Sequence, residues 1–351
     1  MKLQLNNIGM IRKADIAIDG LTVIAGENDS GKSTIGKILF SLIKADMISL
    51  LKFKRKQASN LSENRKRNFD TQISLNFKNQ ITKSGTITFI SENYKQHIAV
   101  TNNKTEEFSV LKEMDTNISD IEDADLLRVF TDAIFIQTPF IWDLMDTFRG
   151  IANFKAESEL LGLSTHIPFP YILWDLYVKL TNTSEKESAF DETYDIESII
   201  NGRFEKNFRG DFKFIRNDLE IEVVNVAAGI RSFGLLQVLL DNHQIYRERV
   251  LIFDEPEVHL HPKWQIEMAK IIVWLVENGV KVLVNSHSPY MIEALESLSK
   301  EKSILSNFYL SKKENHLSDI ESVGDDLTLI YNLLSQPIDT LEEMELESFR
   351  W

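Results

Sequence analysis

Gly26-Glu27-Asn28-Asp29-Ser30-Gly31-Lys32-Ser33 fits the pattern G-x-x-x-x-G-K-[ST] at every specified position. A polyphosphate needs donors at close range. Gly26 and Gly31 let the backbone turn tightly, so that the loop N–H groups of Glu27, Asn28, Asp29 and Ser30 can face inward. A helix starting at Lys32 adds the positive end of its dipole. Lys32 is placed to reach the β- and γ-phosphates of ATP, Ser33 to hold Mg2+, and Thr34 to add an α-phosphate contact. The alternative is a chance glycine loop. Against it, the apolar run Leu21–Ala25 precedes the loop, and Ile35, Ile38, Leu39, Leu42 and Ile43 follow at helical spacing.

Two further segments carry groups suited to phosphate chemistry. Val250-Leu251-Ile252-Phe253 reads as a buried strand that delivers Asp254 and Glu255 at its carboxyl end, where open α/β sheets place ligands. Asp254 is suited to bind Mg2+ through water, and Glu255 to polarise an attacking water as general base. An apolar run before Asp-Glu is common by itself and gains meaning from the glycine loop upstream. Val282-Leu283-Val284-Asn285-Ser286-His287-Ser288-Pro289 places His287 just past another strand, where an imidazole can bond the γ-phosphate or orient the water. A lone histidine is more often structural, and here its position after the second strand argues for function. His259 and His261 have no third ligand nearby, so metal binding by that pair is rejected.

Such groups need strand, loop and helix in a fixed order. Strands are expected at Leu3–Ile8, Ala14–Ile18 and Leu21–Ala25, and a helix from Lys32 to about Ile48. Gln72–Phe77, Thr86–Ile90 and His97–Thr101 suggest an antiparallel meander, and Ala133–Ile136 another apolar strand. Phe140 to about Ile200 turns helical and aromatic, with Trp142, Phe148, Phe154, Phe169, Tyr171, Trp174 and Tyr177 expected to form the core of an inserted helical subdomain. Strands at Arg203–Asn207, Asp211–Arg216 and Leu219–Asn225 follow. Then come helix Ile230–Leu240, strand Val250–Phe253, helix Pro262–Glu277, strand Lys281–Asn285 and helix Pro289–Leu298. The class is α/β, divided as an N-terminal lobe over 1–139, a helical insertion over 140–202 and a C-terminal lobe over 203–351.

Composition bounds the rest. A chain of 351 residues with 43% hydrophobic residues can bury a sizeable core. Cysteine is absent, which excludes a disulfide framework, thiol catalysis and cysteine-ligated zinc and fits a cytoplasmic setting. No apolar run approaches the roughly 20 residues of a membrane helix, and the N-terminus lacks the pattern of a signal peptide. A net charge of −14 disfavours nonspecific nucleic-acid binding over most of the surface. Lys52, Lys54, Arg55, Lys56, Arg65, Lys66 and Arg67 are a local exception, either a solvated loop or a contact for a polyanion or partner.

Taken together, these residues resemble the ABC-like and SMC-like ATPases of the chromosome-maintenance and overcoming-lysogenization-defect (OLD) type, stand-alone bacterial AAA family ATPases with a split cassette head. The stretches that carry the resemblance are Gly26–Thr34, Asp254-Glu255-Pro256-Glu257-Val258-His259-Leu260-His261-Pro262 (a Walker B and D-loop) and Asn285–Pro289 (a switch histidine). The resemblance implies a P-loop NTPase fold with an ABC-type head, a mixed core sheet and an antiparallel β subdomain. It implies a head-to-tail homodimer in which ATP–Mg2+ lies between the glycine loop of one copy and a signature segment of the other. Ala227-Ala228-Gly229-Ile230-Arg231-Ser232 stands where that signature belongs, with alanine in place of its usual serine. Ala228 and Gly229 can still offer amides to phosphate, and Arg231 or Ser232 could replace the lost hydroxyl; an ordinary helix start is the other reading. Gln137 is the candidate loop glutamine for Mg2+, or else an exposed loop residue.

The resemblance further implies a role in antiviral defence or DNA maintenance with a separately encoded effector such as a nuclease. Two rivals stand beside it. An OLD-type nuclease would carry a metal-dependent domain after the ATPase, and only about fifty residues follow Leu298, fewer than a typical domain. An ATP-dependent assembly scaffold with little hydrolysis is motivated by the altered signature. The acidic stretch Ile338–Glu347 reads as a closing helix.

Overall fold

The computed structural model describes residues 1–351 except 56, 58–59, 79, 83, 92–94, 113–131, 138, 164–168, 185–189, 191–192, 209, 248 and 349–351. Lys56 of the basic cluster, and Lys83, Glu92 and Asn93 between the segments read as a meander, therefore lie outside the described residues. The central strands are β3 (Leu21–Ala25), β7 (Ala133–Ile136), β11 (Val250–Asp254) and β12 (Lys281–Ser286). They run parallel in the order β3-β12-β11-β7, and β13 (Ser306–Glu314) pairs parallel with β3 on its other side. These segments are predominantly apolar because both faces are covered, and their polar residues fall mostly at the strand ends. Val23, Ala25, Leu251, Phe253, Val282 and Val284 face one core, while Ile24, Ile252 and Leu283 face another.

The second core contains α1 (Lys32–Lys54), whose Ile35, Ile38, Leu39, Phe40 and Ile43 are buried. The same cluster takes in Leu3 and Leu5 of β1 (Lys2–Ile8), Ile11 and Ala14 of β2 (Ile11–Ala17), and residues of β4 (Ser84–Ile90) and β5 (Lys95–Thr101). An antiparallel ribbon, in the order β6-β5-β4-β1-β2 with β6 at Lys104–Lys112, thus curls over the helix that follows the glycine loop. β13 and β14 (Leu317–Ser322) form a hairpin wedged between β2 and β3, which joins ribbon and parallel strands into one eleven-stranded sheet.

The first core is closed by α6 (Ala228–Asp241), α7 (Pro262–Glu277) and α8 (Pro289–Glu301). Against it pack a 3-10 turn at Pro139–Leu144, α3 (Met145–Leu160), α4 (Tyr171–Thr181) and α5 (Ile196–Ile200), together with a separate three-stranded sheet of β8 (Arg203–Lys206), β9 (Phe212–Arg216) and β10 (Leu219–Glu222). The expected aromatic core is partly internal: Phe148, Phe169, Trp174 and Tyr177 contact one another. It is partly shared, with Trp142 stacked on Phe204 at 5.2 Å and Phe190 against Trp274 at 5.0 Å. Phe154 is exposed.

Several expectations are corrected. Gln72–Phe77 is the end of helix α2 (Leu61–Phe77), not a strand. Its start is set by the Asn60 side chain, which accepts from the Glu63 N–H, and Arg65, Asn68, Phe69, Gln72 and Ile73 form its buried face against α1. α1 runs on to Lys54, and β6, β13 and β14 went unforeseen. Arg65 leaves the exposed basic patch altogether: it is buried and paired to Asp46 at 2.6 Å. The chain closes with α9 (Thr328–Ser348), and among the described residues no helix is long and apolar enough to cross a membrane.

Candidate nucleotide site

Strand register lines up the chemical groups. Ala25 pairs with Ser286, Asn285 with Asp254, and Phe253 with Ile136. The glycine loop, the turn holding His287, the Asp254–Glu255 pair and Gln137 therefore leave the sheet side by side at the carboxyl ends of β3, β12, β11 and β7, the edge at which open α/β sheets bind ligands. Gly31 has φ +87°, and a Cβ there would lie 3.0 Å from Ile11 Cγ1. A Cβ on Gly26 would lie 2.8 Å from the Ser311 carbonyl, so both glycines are required by space. Glu27, Asn28 and Asp29 are exposed and Ser30 is buried. The loop is braced from below: Ser311 Oγ donates to the Ser30 carbonyl at 2.7 Å, and Lys313 Nζ donates to Asp29 at 2.6 Å. Thr34 lies in the first turn of α1, its N–H donating to the Gly31 carbonyl.

Lys32 is buried and its ammonium donates to the carbonyls of Gly26 at 2.8 Å and Glu27 at 2.6 Å. Burial lowers its proton affinity, and the charges of Glu255, Glu257, Asp254 and Glu27 oppose that. Asp254 is also buried; burial raises its affinity for a proton, while hydrogen bonds from Asn285 (Nδ2 at 2.9 Å) and Ser33 work against it. A hydroxyl joined to a buried carboxylate, beside a buried ammonium and a loop with no room for a side chain at its two glycines, fits a nucleotide with Mg2+, whose preferred ligands are oxygens. Glu255 has φ +56°, and its N–H donates to the Asn285 carbonyl at 2.9 Å. His287 Nδ1 lies 3.5 Å from Glu255 Oε1. Gln137 is exposed and lines a small cavity with Glu255, Pro256 and Ser232.

The segment at the start of α6 is built differently. Ala227 caps the helix without a side-chain hydrogen bond, and a Cβ on Gly229 would come within 3.1 Å of the Trp264 ring and 3.2 Å of the His259 carbonyl. Arg231 and Ser232, read above as substitutes for the missing serine, are engaged elsewhere. The Arg231 guanidinium holds both oxygens of Asp143 at 2.8 and 2.9 Å, and Ser232 Oγ bonds back to Ala228.

Known proteins share parts of this architecture. Residues 172–292 match a family model for an AAA ATPase domain, a stretch from α4 to the start of α8 that includes Asp254, Glu255 and His287. The crystal structure of the Smc head domain with an extended coiled coil, bound to the C-terminal domain of ScpA, from Pyrococcus furiosus superposes over 98% of this chain and 98% of that one, with a TM-score of 0.51 at 14% identity. The fold is that of an SMC head. A looser superposition, with a TM-score of 0.46 at 13% identity over 92% of this chain and 98% of the other, is found with the SMC head domain from Thermotoga maritima. No curated protein matches the sequence.

Within this fold, three residues of the site went unread in the sequence. Ser311 and Lys313 reach the glycine loop from a strand nearly three hundred residues downstream, and no local pattern announces them. Glu257 was read only as part of a motif; it is a buried carboxylate that accepts from Ser286 Oγ and from the N–H groups of His287 and Ser288. Its one sequence signal is a third acid directly after Asp254-Glu255-Pro256.

Proposed function

We propose that the chain binds and hydrolyses ATP as an ABC/SMC-like ATPase and acts as a nucleotide-dependent dimerisation switch. The observation that carries this reading is the convergence of Lys32, the Ser33–Asp254 pair, Glu255 and His287 at neighbouring strand ends. Lys32 and the loop amides bind the phosphates. Ser33 and, through water, Asp254 would hold Mg2+, with Gln137 as a further contact, and the ion would supply neutralisation of the phosphate charge. Glu255 polarises the attacking water and His287 touches the γ-phosphate or steadies that water. Two copies meet head to tail, and the Ala228 and Gly229 amides at the start of α6 complete the partner's site. In cells the switch acts in the cytoplasm, in antiviral defence or DNA maintenance, through a separately encoded effector. The ScpA domain bound to the Pyrococcus head is a precedent for a protein partner.

The test compares wild type with Glu255→Gln in steady-state ATP hydrolysis, with mass by light scattering with and without ATP–Mg2+. The variant is expected to lose at least a hundredfold in kcat, within the range for removal of a general base, and to accumulate as an ATP-bound dimer. Intact turnover in Glu255→Gln removes the assigned base. A second reading, an assembly scaffold with little hydrolysis, is favoured by the uncapped Ala227 start of α6; it predicts ATP-driven dimers and background turnover in both proteins.

A further inference from the structure

Glu257 is 4% exposed, yet it sits one turn from the catalytic edge of the sheet, in the segment between β11 and α7. Burying a carboxylate is costly unless donors surround it. Here Ser286 Oγ donates at 2.7 Å, the His287 N–H at 2.8 Å and the Ser288 N–H at 3.2 Å, all to Oε1, while Oε2 is buried without a hydrogen-bond partner among the described residues. The same turn is held from behind: Ser288 Oγ donates to Gln265 Oε1 at 2.6 Å, and Gln265 Nε2 donates to the Leu260 carbonyl at 3.1 Å. One side chain thus fastens three successive residues of the turn that carries His287.

The imidazole adds a second constraint. His287 Nδ1 is a buried atom without a hydrogen-bond partner of good geometry, and it lies 3.3 Å from Glu257 Oε1 and 3.5 Å from Glu255 Oε1. A nitrogen lone pair this close to two carboxylate oxygens is repelled by their charge, whereas an N–H is attracted, so the ring keeps a hydrogen on Nδ1 and leaves Nε2 as the nitrogen for phosphate or water. We infer that Glu257 is the positioning residue of the site: it locks the 286–288 turn and fixes the tautomer of His287. The inference rests on the ATPase reading above and adds to it a third carboxylate that never touches the nucleotide. The arrangement is that of a histidine oriented by a carboxylate behind it, a role whose loss ordinarily costs about 10- to 100-fold in activity.

The experiment uses the full chain with 15N-labelled histidine, the His287 ring signals being assigned by their disappearance in His287→Asn. Wild type is expected to show a protonated Nδ1 even without nucleotide. In Glu257→Gln the Nδ1–H population falls and kcat drops about 10- to 100-fold, with KM for ATP changed less than about threefold. Glu257→Asp restores most of both. Ser286→Ala, which removes one donor and leaves the carboxylate, gives a smaller kcat loss and serves if Glu257→Gln does not fold. The proposal is overturned by kcat within twofold of wild type in Glu257→Gln, or by a kcat loss with the ring tautomer unmoved, which would make Glu257 a fold-stabilising group only. Normal turnover in Glu255→Gln overturns the ATPase reading instead, so the two failures are told apart.

Discussion

Glu255 occupies the left-handed region at φ +56°, a conformation that costs a residue with a side chain about 1–2 kcal/mol. The cost is tolerated because its N–H bonds the Asn285 carbonyl and the next residue is the proline that redirects the chain toward α7. Gly31 has the same sign of φ with no side chain to accommodate, and Ile11 leaves no space for one. Gly31→Ala is therefore expected to strain the loop by about 1–2 kcal/mol. Calorimetric titration with ATP–Mg2+ should find affinity reduced about tenfold or more. Unchanged affinity would mean that the loop does not close on phosphate in the way its glycines suggest. At this scale the sequence was a good guide for the glycine loop and the Asp254–Glu255 pair, because each is a local pattern with a local cause. It showed Glu257 only as one letter of a motif, because the importance of that residue lies in donors thirty residues away.

Among the elements, α6 shows how closely helix and loop are fitted. Its second residue, Gly229, lies against the face of Trp264 on α7 and the carbonyl of His259, itself at φ +67°. An added methyl group must push that ring aside, at a cost of about 1–3 kcal/mol for overpacking. Gly229→Ala should lower the melting temperature and weaken ATP-driven dimerisation seen by light scattering, and Trp264→Leu in the same chain should recover part of both. Strands β3, β7 and β11 and helix α7 were legible from apolar runs and periodicity, since burial on both faces leaves a continuous signature. The helix α2 was mistaken in part for a strand because its buried face is polar as well as apolar: Asn64, Arg65, Asn68 and Gln72 lie inward beside Phe69 and Ile73. The hairpin β13–β14 escaped because its place in the sheet is decided by partners near the N-terminus.

For the whole molecule, a buried charge cluster ties the helix after the glycine loop to the helical side of the head. Lys44 of α1 bonds Asp132 and Asp175; Lys179 of α4 bonds Asp175 at 2.6 Å; Arg249 bonds Asp132 at 2.7 Å. Three cations face two carboxylates, and burial with the nearby charges of Lys44 and Arg249 pushes Lys179 down to about 8 despite the pull of Asp132 and Asp175. Between that value and its ordinary 10.5, the unfolded chain holds this proton and the folded one does not, so the Lys179 contribution to stability rises with pH across the window. Lys179→Met should lack that rise when melting is followed from pH 8 to 10, and should be close to neutral at pH 7. Asp132→Asn strands the cations and is expected to cost about 3–5 kcal/mol in chemical denaturation. Equal losses in the two variants would show that the cluster does not carry a surplus cation.

The bracing of the glycine loop by Ser311 and Lys313, and the pairing of β3 with β12 and β13, have a consequence for synthesis. The strand Leu21–Ala25, apolar except for Thr22, is synthesised while its two neighbours are still untranslated. At about 5–20 residues per second, the gap lasts on the order of 15–60 s. Through that interval the nascent chain carries an unpaired hydrophobic edge and an unsupported phosphate loop. A fragment that ends before Lys281 lacks the strands that pair with β3 and the residues that brace the loop, so ATP–Mg2+ is expected to leave its melting temperature unchanged.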